Sequence, residues 1–263
     1  MIYSNRKIVI ITDCIDIAFN EMHQTLLNEL ASFGISSPQI SPIAQVKNFS
    51  VVNAAFIIRL LADLYPAETL FAIIVSGTSL NPMRLFGETK TGITFVGNNS
   101  GYLNWLIEDF GLNYLYENKI NRDIEGRSFG GKYAQIPTVA RLYAYQDLDS
   151  LGIKRDETCL HNFNIKTGTV VHCDNFGLMK IKAPKITDLN EGDLLKIFLN
   201  EKFILTAHYT EKMKLQKDGE WVLFTGSSLY GLPELGRVRS LNSSAELGVK
   251  EGDIITWDKV STK

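Results

Sequence analysis

Apolar positions follow two rhythms along this chain, and the change between them falls past its middle. Early on, continuous apolar runs stand at Ile8-Val9-Ile10-Ile11, at residues 70–75 and at residues 93–97. Such runs predict strands buried on both faces, as in a parallel sheet. Between them, Phe19, Met22, Leu26, Leu27 and Leu30 fall at helical spacing over residues 18–31, and Val52, Ala55, Phe56, Leu60 and Leu61 do so over 51–64. Asn48 or Ser50 is placed to cap the second helix and Pro66 to end it. Residues 101–110 read as another helix, and Pro137 opens one more that runs to about Gln146, proline being tolerated in a first turn. Strand–helix alternation predicts an α/β domain over residues 1–155, a parallel-type sheet with flanking helices. Asp147 to Thr158 is charged and reads as a linker. Then come shorter strand-like runs at 168–173, 178–182, 194–199, 202–208, 221–225 and 253–257, punctuated by Gly, Asp, Asn and Pro. They predict a small, mainly-β barrel domain over residues 165–263.

Several early runs end in polar or glycine-rich residues, and strand ends of this kind are where α/β proteins bind small molecules. Thr12-Asp13 closes the first strand. A carboxylate there accepts hydrogen bonds from a ribose diol, or else caps the helix that begins near residue 17. For Asp16 the cap is the preferred reading. Ser76-Gly77-Thr78-Ser79 closes the second strand with hydroxyls and small residues. It lacks the Walker lysine, so it is no P-loop, and a plain turn fits equally well. Ser128-Phe129-Gly130-Gly131 precedes a helix, and its paired glycines permit close backbone approach.

The net charge of -2 and pI near 6.1 offer no basic field for nucleic acid. Three cysteines, Cys14, Cys159 and Cys173, stand far apart and read as buried small hydrophobes. The odd count fits a reducing compartment, so a cytoplasmic protein is expected. Arg6 and Lys7 precede only four apolar residues before Asp13 interrupts, so neither a signal peptide nor a membrane span is expected. His23, His161, His172 and His208 show no metal-ligand spacing, and no metal is expected. No Gly-x-Ser-x-Gly elbow is present to start a hydrolase triad.

Taken in order, these pieces resemble one family, the S-adenosyl-L-methionine (SAM) hydroxide adenosyltransferases, relatives of the fluorinase and chlorinase enzymes. Thr12-Asp13 resembles the family's Thr-Asp-Phe-Gly, and Asp16 to Met22 its Asp-x-Tyr-Val-Gly-x-Met with two turn residues missing. Asn48 to Phe56 resembles Pro-Phe-Asp-Val-x-x-Ala-Ala-Phe. Phe95 to Leu103 resembles Phe-Val-Gly-Pro-Asp-Asn-Gly-Leu-Leu. Ser128 to Pro137 resembles Thr-Phe-His-Gly-Arg-Asp-x-Phe-Ala-Pro, and Cys173 to Met179 resembles Ile-Asp-x-Phe-Gly-Asn-Leu. Ser243-Ser244-Ala245 and Gly252-Asp253 resemble Gly-Ser-Ala and Gly-Asp near the end.

The resemblance implies a homotrimer in which SAM lies between one subunit's first domain and a neighbour's second. It also implies attack on the ribose C5′ of SAM with methionine leaving, and no cofactor beyond SAM as substrate. By the same resemblance Asp13 would hold the ribose hydroxyls and Phe49 would pack on the sugar. Thr78 or Ser79, with Phe129, Gly130 and Gly131, would line the reacting carbon. Asp174 would meet the methionine ammonium, Phe176 would stack near adenine, and Ser227 or Ser228 would contact the methionine carboxylate. The family's hydrolases use an Asp-Arg-His set on water. Here the aspartate is gone from Val75-Ser76-Gly77-Thr78-Ser79-Leu80, Arg84 survives as the catalytic candidate, and the histidine falls at Gly130. The adenine-side asparagine is Leu178, and Asn99 replaces the aspartate of Pro-Asp-Asn-Gly. Hydrolysis of SAM to adenosine and methionine is therefore the expected activity. The alternatives are a catalytically inactive SAM or adenosine binder, and a halide-dependent displacement with the anion seated at Gly130-Gly131.

Overall fold

The computed structural model describes residues 6–76, 83–120 and 129–260. The chain divides into two compact units, Met1–Asn164 and Ile165–Lys263.

The first unit is built on a mixed sheet. Strands β1 (Lys7–Thr12), β2 (Gln39–Ile40), β3 (Ala44–Gln45), β4 (Leu70–Ile74), β5 (Arg84–Thr89), β6 (Thr94–Asn98), β7 (Leu112–Asn118) and β8 (Gly152–Arg155) form it. Its order is β2-β1-β4-β6-β5-β7-β8, with β3 also pairing β1. β1, β2, β3, β4 and β6 run parallel, and β5, β7 and β8 join antiparallel. The continuous runs in β1, β4 and β6 are buried on both faces because helices cover the sheet.

Helix α1 (Ile17–Ser32) starts where Asp16 accepts the Ala18 N–H, so Asp16 is the cap. It buries Met22, Leu26 and Leu30 against Ile8, Ile10, Ala72 and Ile74. Each such side chain contributes about 1.5–3 kcal/mol of hydrophobic stabilisation. Ser50, not Asn48, caps α2 (Val51–Leu64) by accepting the Asn53 N–H. Helix α3 (Asn104–Phe110) begins three residues later than expected, because Asn99 and its neighbours form a turn. A π turn, Gly131–Gln135, leads into α4 (Ile136–Tyr143), which carries Pro137 in its first turn. The stretch read as a charged linker is instead α5 (Leu148–Leu151) and edge strand β8. Its charges lie on the solvent side of an edge strand, where they do not interrupt pairing.

The second unit is a seven-stranded sheet of β9 (Thr169–Cys173), β10 (Met179–Lys182), β11 (Leu194–Leu199), β12 (Lys202–Thr210), β13 (Trp221–Thr225), β14 (Pro233–Arg237) and β15 (Ile255–Lys259). Its order is β15-β11-β12-β13-β14-β10-β9. The sheet curls until its two edges meet: Thr169 bridges Ile254, and the Val170 N–H donates to Asp253 O at 2.8 Å. Met179, Ile181, Leu195, Ile197, Leu223 and Leu235 fill the inside of the curl.

Arg6 pins the end of the first unit where β1 begins. Buried, it donates from Nε to Glu68 O (2.9 Å), from Nη1 to Leu142 O (2.8 Å) and from Nη2 to Thr94 Oγ1 (2.7 Å). Arg6→Met leaves those acceptors without their donor. It is expected to lower unfolding free energy by about 2–3 kcal/mol, read as a shifted urea midpoint at unchanged slope.

Candidate functional site

Because β1, β4 and β6 are parallel neighbours, their C-terminal ends emerge along one edge of the first sheet. Asp13, Ser76 and Asn98 stand there. β5 runs the other way, so its first residue, Arg84, is the register partner of Asn98 and reaches the same edge. This is the place where open α/β sheets offer polar side chains and bare backbone to a ligand.

Asp13 is 8% exposed. Its Oδ2 accepts the Phe49 N–H at 3.0 Å, and its Oδ1 accepts the Ser76 N–H at 3.0 Å and the Ser76 hydroxyl at 3.1 Å. A carboxylate offers about four lone-pair sites, so protein donors already take most of them. The Ser76 N–H also reaches Oδ2, at 3.2 Å. Phe49 holds a positive φ of 59°, a conformation that costs a non-glycine residue about 1 kcal/mol or more. The Asp13 bond holds it there with the ring 63% exposed at the sheet edge.

Arg84 is half-buried, and burial pushes its guanidinium below the ordinary arginine range. The group lies directly over Gly130, where a Cβ would come within 2.1 Å of Nη2. The guanidinium thus lies against the Gly130 backbone, beside the place where an anion was expected. Gly131 and Phe129 pack inward, Gly131 on Ile74 and Phe129 against the core. Thr78 and Ser79 lie outside the described residues.

Two residues here escaped the sequence reading. Tyr102, fully buried, accepts the Asn98 N–H on its hydroxyl, and burial raises it far above the ordinary tyrosine range, so it stays protonated. Asn98 Oδ1 is buried with no hydrogen-bond partner among the described residues. The available signal was a pair of changes inside one motif, Asn98 for proline and Tyr102 for leucine. Asn99, which stands for the motif's aspartate, donates from Nδ2 to Cys159 O and accepts the His161 N–H on Oδ1, both at 2.7 Å. The two bonds fix the strand-end turn to the segment that follows β8.

In the second unit, a cavity of about 710 Å³ gathers Asp174, Phe176 and Ser227, three of the expected ligand residues. Asp174 Oδ1 accepts the N–H groups of Phe176 and Leu178 at 2.9 Å each, which shapes the turn and leaves the Phe176 ring 53% exposed. Ser228 is buried and its carbonyl accepts the Gly231 and Leu232 N–H groups, so it serves a turn and is not among the cavity's lining residues. Lys180 and Glu234 form an ion pair among the lining residues. Among the described residues no cluster of three or more His, Cys, Asp or Glu is placed to hold a metal ion. Nor is any helix long and apolar enough to cross a membrane.

A mixed α/β unit with a polar strand-end edge, followed by a curled β unit with its own cavity, defines a recognisable architecture. No protein-family model matches the chain. It is 24% identical over 190 residues to a protein of Methanocaldococcus jannaschii named (R)-S-adenosyl-L-methionine hydrolase, a match covering 68% of this chain and 69% of that protein. Among solved structures, an uncharacterized conserved protein from Thermotoga maritima superposes with a TM-score of 0.78 at 20% identity, covering 95% of this chain and all of the other. A conserved hypothetical protein from Thermus thermophilus gives 0.71 at 15% identity, covering 96% of this chain and all of the other. These structures share the fold, and the likeness to the Methanocaldococcus protein is one of sequence at low identity.

Asn99→Asp keeps the acceptor and loses the donor. It is expected to cost about 1–3 kcal/mol, visible as a lowered melting temperature, whereas Asn99→Gln falls between. Cys14 lies 3.7 Å from Asp13 Oδ1, and burial followed by that carboxylate raises its thiol above the ordinary range. Its alkylation by iodoacetamide at pH 7.5 is expected to be slower than that of free cysteine and to climb only at more alkaline pH, as read by peptide mass spectrometry. Alkylation as fast as the free amino acid's at pH 7.5 contradicts this.

Proposed function

We propose that the chain hydrolyses SAM at the ribose C5′, releasing adenosine and methionine. The water oxygen bonds to C5′ as the C5′–S bond breaks, the bonding pair stays on sulfur to give the methionine thioether, and the water proton leaves to solvent. The observation that carries this reading is the collinear similarity to the Methanocaldococcus hydrolase over 190 residues. The strand-end edge supports it with chemistry of the right kind. Asp13 takes the ribose hydroxyls, the exposed Phe49 ring covers the sugar, and Arg84 donates to the attacking oxygen. Asp174 and Ser227 take the amino-acid end. Thr78 and Ser79 belong to the same proposal, as does assembly into a homotrimer.

A guanidinium donates but does not accept a proton, so Arg84 orients water without activating it. General-base assistance is worth about 10²–10⁴-fold. A sulfonium is already a good leaving group, and holding water in line supplies much of the remaining acceleration. Slow turnover follows. A second reading, ligand binding without turnover, is favoured by one observation: the aspartate and histidine expected to act with Arg84 on water are absent, Gly130 lying under the guanidinium instead.

The purified chain incubated with SAM is expected to yield adenosine and methionine in equal amounts by liquid chromatography. Arg84→Met should lower the rate by about 10²-fold, the scale for misplacing a reacting group. Binding of SAM in calorimetry with no adenosine formed supports the second reading, and absence of binding overturns both.

A further inference from the structure

Strand register brings three of the lining residues of the unit-two cavity side by side. Lys180 of β10 is the cross-strand partner of Glu234 of β14, and Glu234 is the partner of Phe224 of β13. All three line the cavity, with Phe176, Met213 and Leu215 adding apolar surface. Lys180 Nζ donates to Glu234 Oε1, and the two side chains are only 14% and 4% exposed. Gly226 makes room for the carboxylate, since a Cβ there would sit 2.1 Å from Oε1. Buried ion pairs add little net stability compared with apolar residues of the same volume, because desolvation offsets the attraction. Stability therefore does not account for this pair well. Its place in a lining that mixes Phe176, Phe224, Met213 and Leu215 with Glu211, Lys212 and Lys214 gives it another use: a cationic donor beside an anionic acceptor matches the edge of a flat heterocycle that carries one acceptor beside one donor. Leu178, in the turn above, has no polar atom to read such an edge.

We infer that the Lys180–Glu234 pair is the specificity-determining element for the ligand's base, with Lys180 donating to N1 of adenine and Glu234 accepting from its 6-amino group. This rests on the adenosyl reading under Proposed function. The base packs on the apolar side chains of that lining, and the ribose fixes which way round it enters, so the order of donor and acceptor is read. Hypoxanthine presents the opposite order, an oxygen acceptor at C6 and an N–H donor at N1. In this cavity it sets like against like at both positions. Specificity of this kind comes as much from rejecting the mismatched edge as from accepting the right one.

Calorimetric titration of the full chain with adenosine, inosine and purine riboside tests this. Adenosine is expected to bind at least about tenfold more tightly than inosine or purine riboside, the lower end of the effect of an unpaired buried polar group. The ligand comparison needs no protein variant. The exchange variant Lys180→Glu with Glu234→Lys keeps an ion pair, reverses its order, and is expected to prefer inosine. Equal affinity of the wild-type chain for adenosine and inosine, or for adenosine and purine riboside, overturns the inference. So does an exchange variant that keeps the wild-type preference. If the wild-type chain binds SAM and forms adenosine while any of these results holds, only the inference fails. If it binds neither SAM nor any nucleoside, the adenosyl reading fails with it.

Discussion

The Asp13 carboxylate joins three segments that are distant in sequence: the end of β1, the turn before α2 and the end of β4. It does so by accepting the N–H groups of Phe49 and Ser76, which lie 36 and 63 residues further along. A buried carboxylate without partners costs several kcal/mol of desolvation. Here charge-assisted bonds offset that cost and fix the position of the backbone around it. The exposed Phe49 ring, the strained backbone beneath it and the Ser76 hydroxyl all take their places from this one anchor. The same commitment limits what the carboxylate can still offer a ligand.

Two glycines of the chain make room for charged side chains. Gly130 stands at the histidine position, and the Arg84 guanidinium occupies the space a side chain would need. Gly226 likewise leaves room for Glu234. In each case a charged group sits against bare backbone beside a candidate ligand surface.

How much of this was legible in the sequence depends on the periodicity of each element. β1, β4 and β6 were plain because their continuous apolar runs are buried on both faces, and α1 and α2 because each shows one apolar stripe. β5, β7 and β8 were not, since they are short or broken by polar residues and show neither a continuous apolar run nor a strict alternation. β14 was hidden by Glu234, a charge buried in the middle of its pattern. At the site, strand-end position marked Asp13 correctly as a polar residue of the edge. Nothing local announced its donors, which come from other segments. Tyr102 and Asn98 are single replacements within a loop, and their burial is a tertiary fact that spacing does not carry.

The most direct measurement is a crystal structure of the chain grown with adenosine. The account predicts ribose oxygens within hydrogen-bonding distance of the Asp13 carboxylate, with the Ser76 hydroxyl turned aside and the Phe49 ring against the sugar. A nucleoside bound elsewhere, with Asp13 still holding the Phe49 and Ser76 donors and no ribose contact, would contradict it.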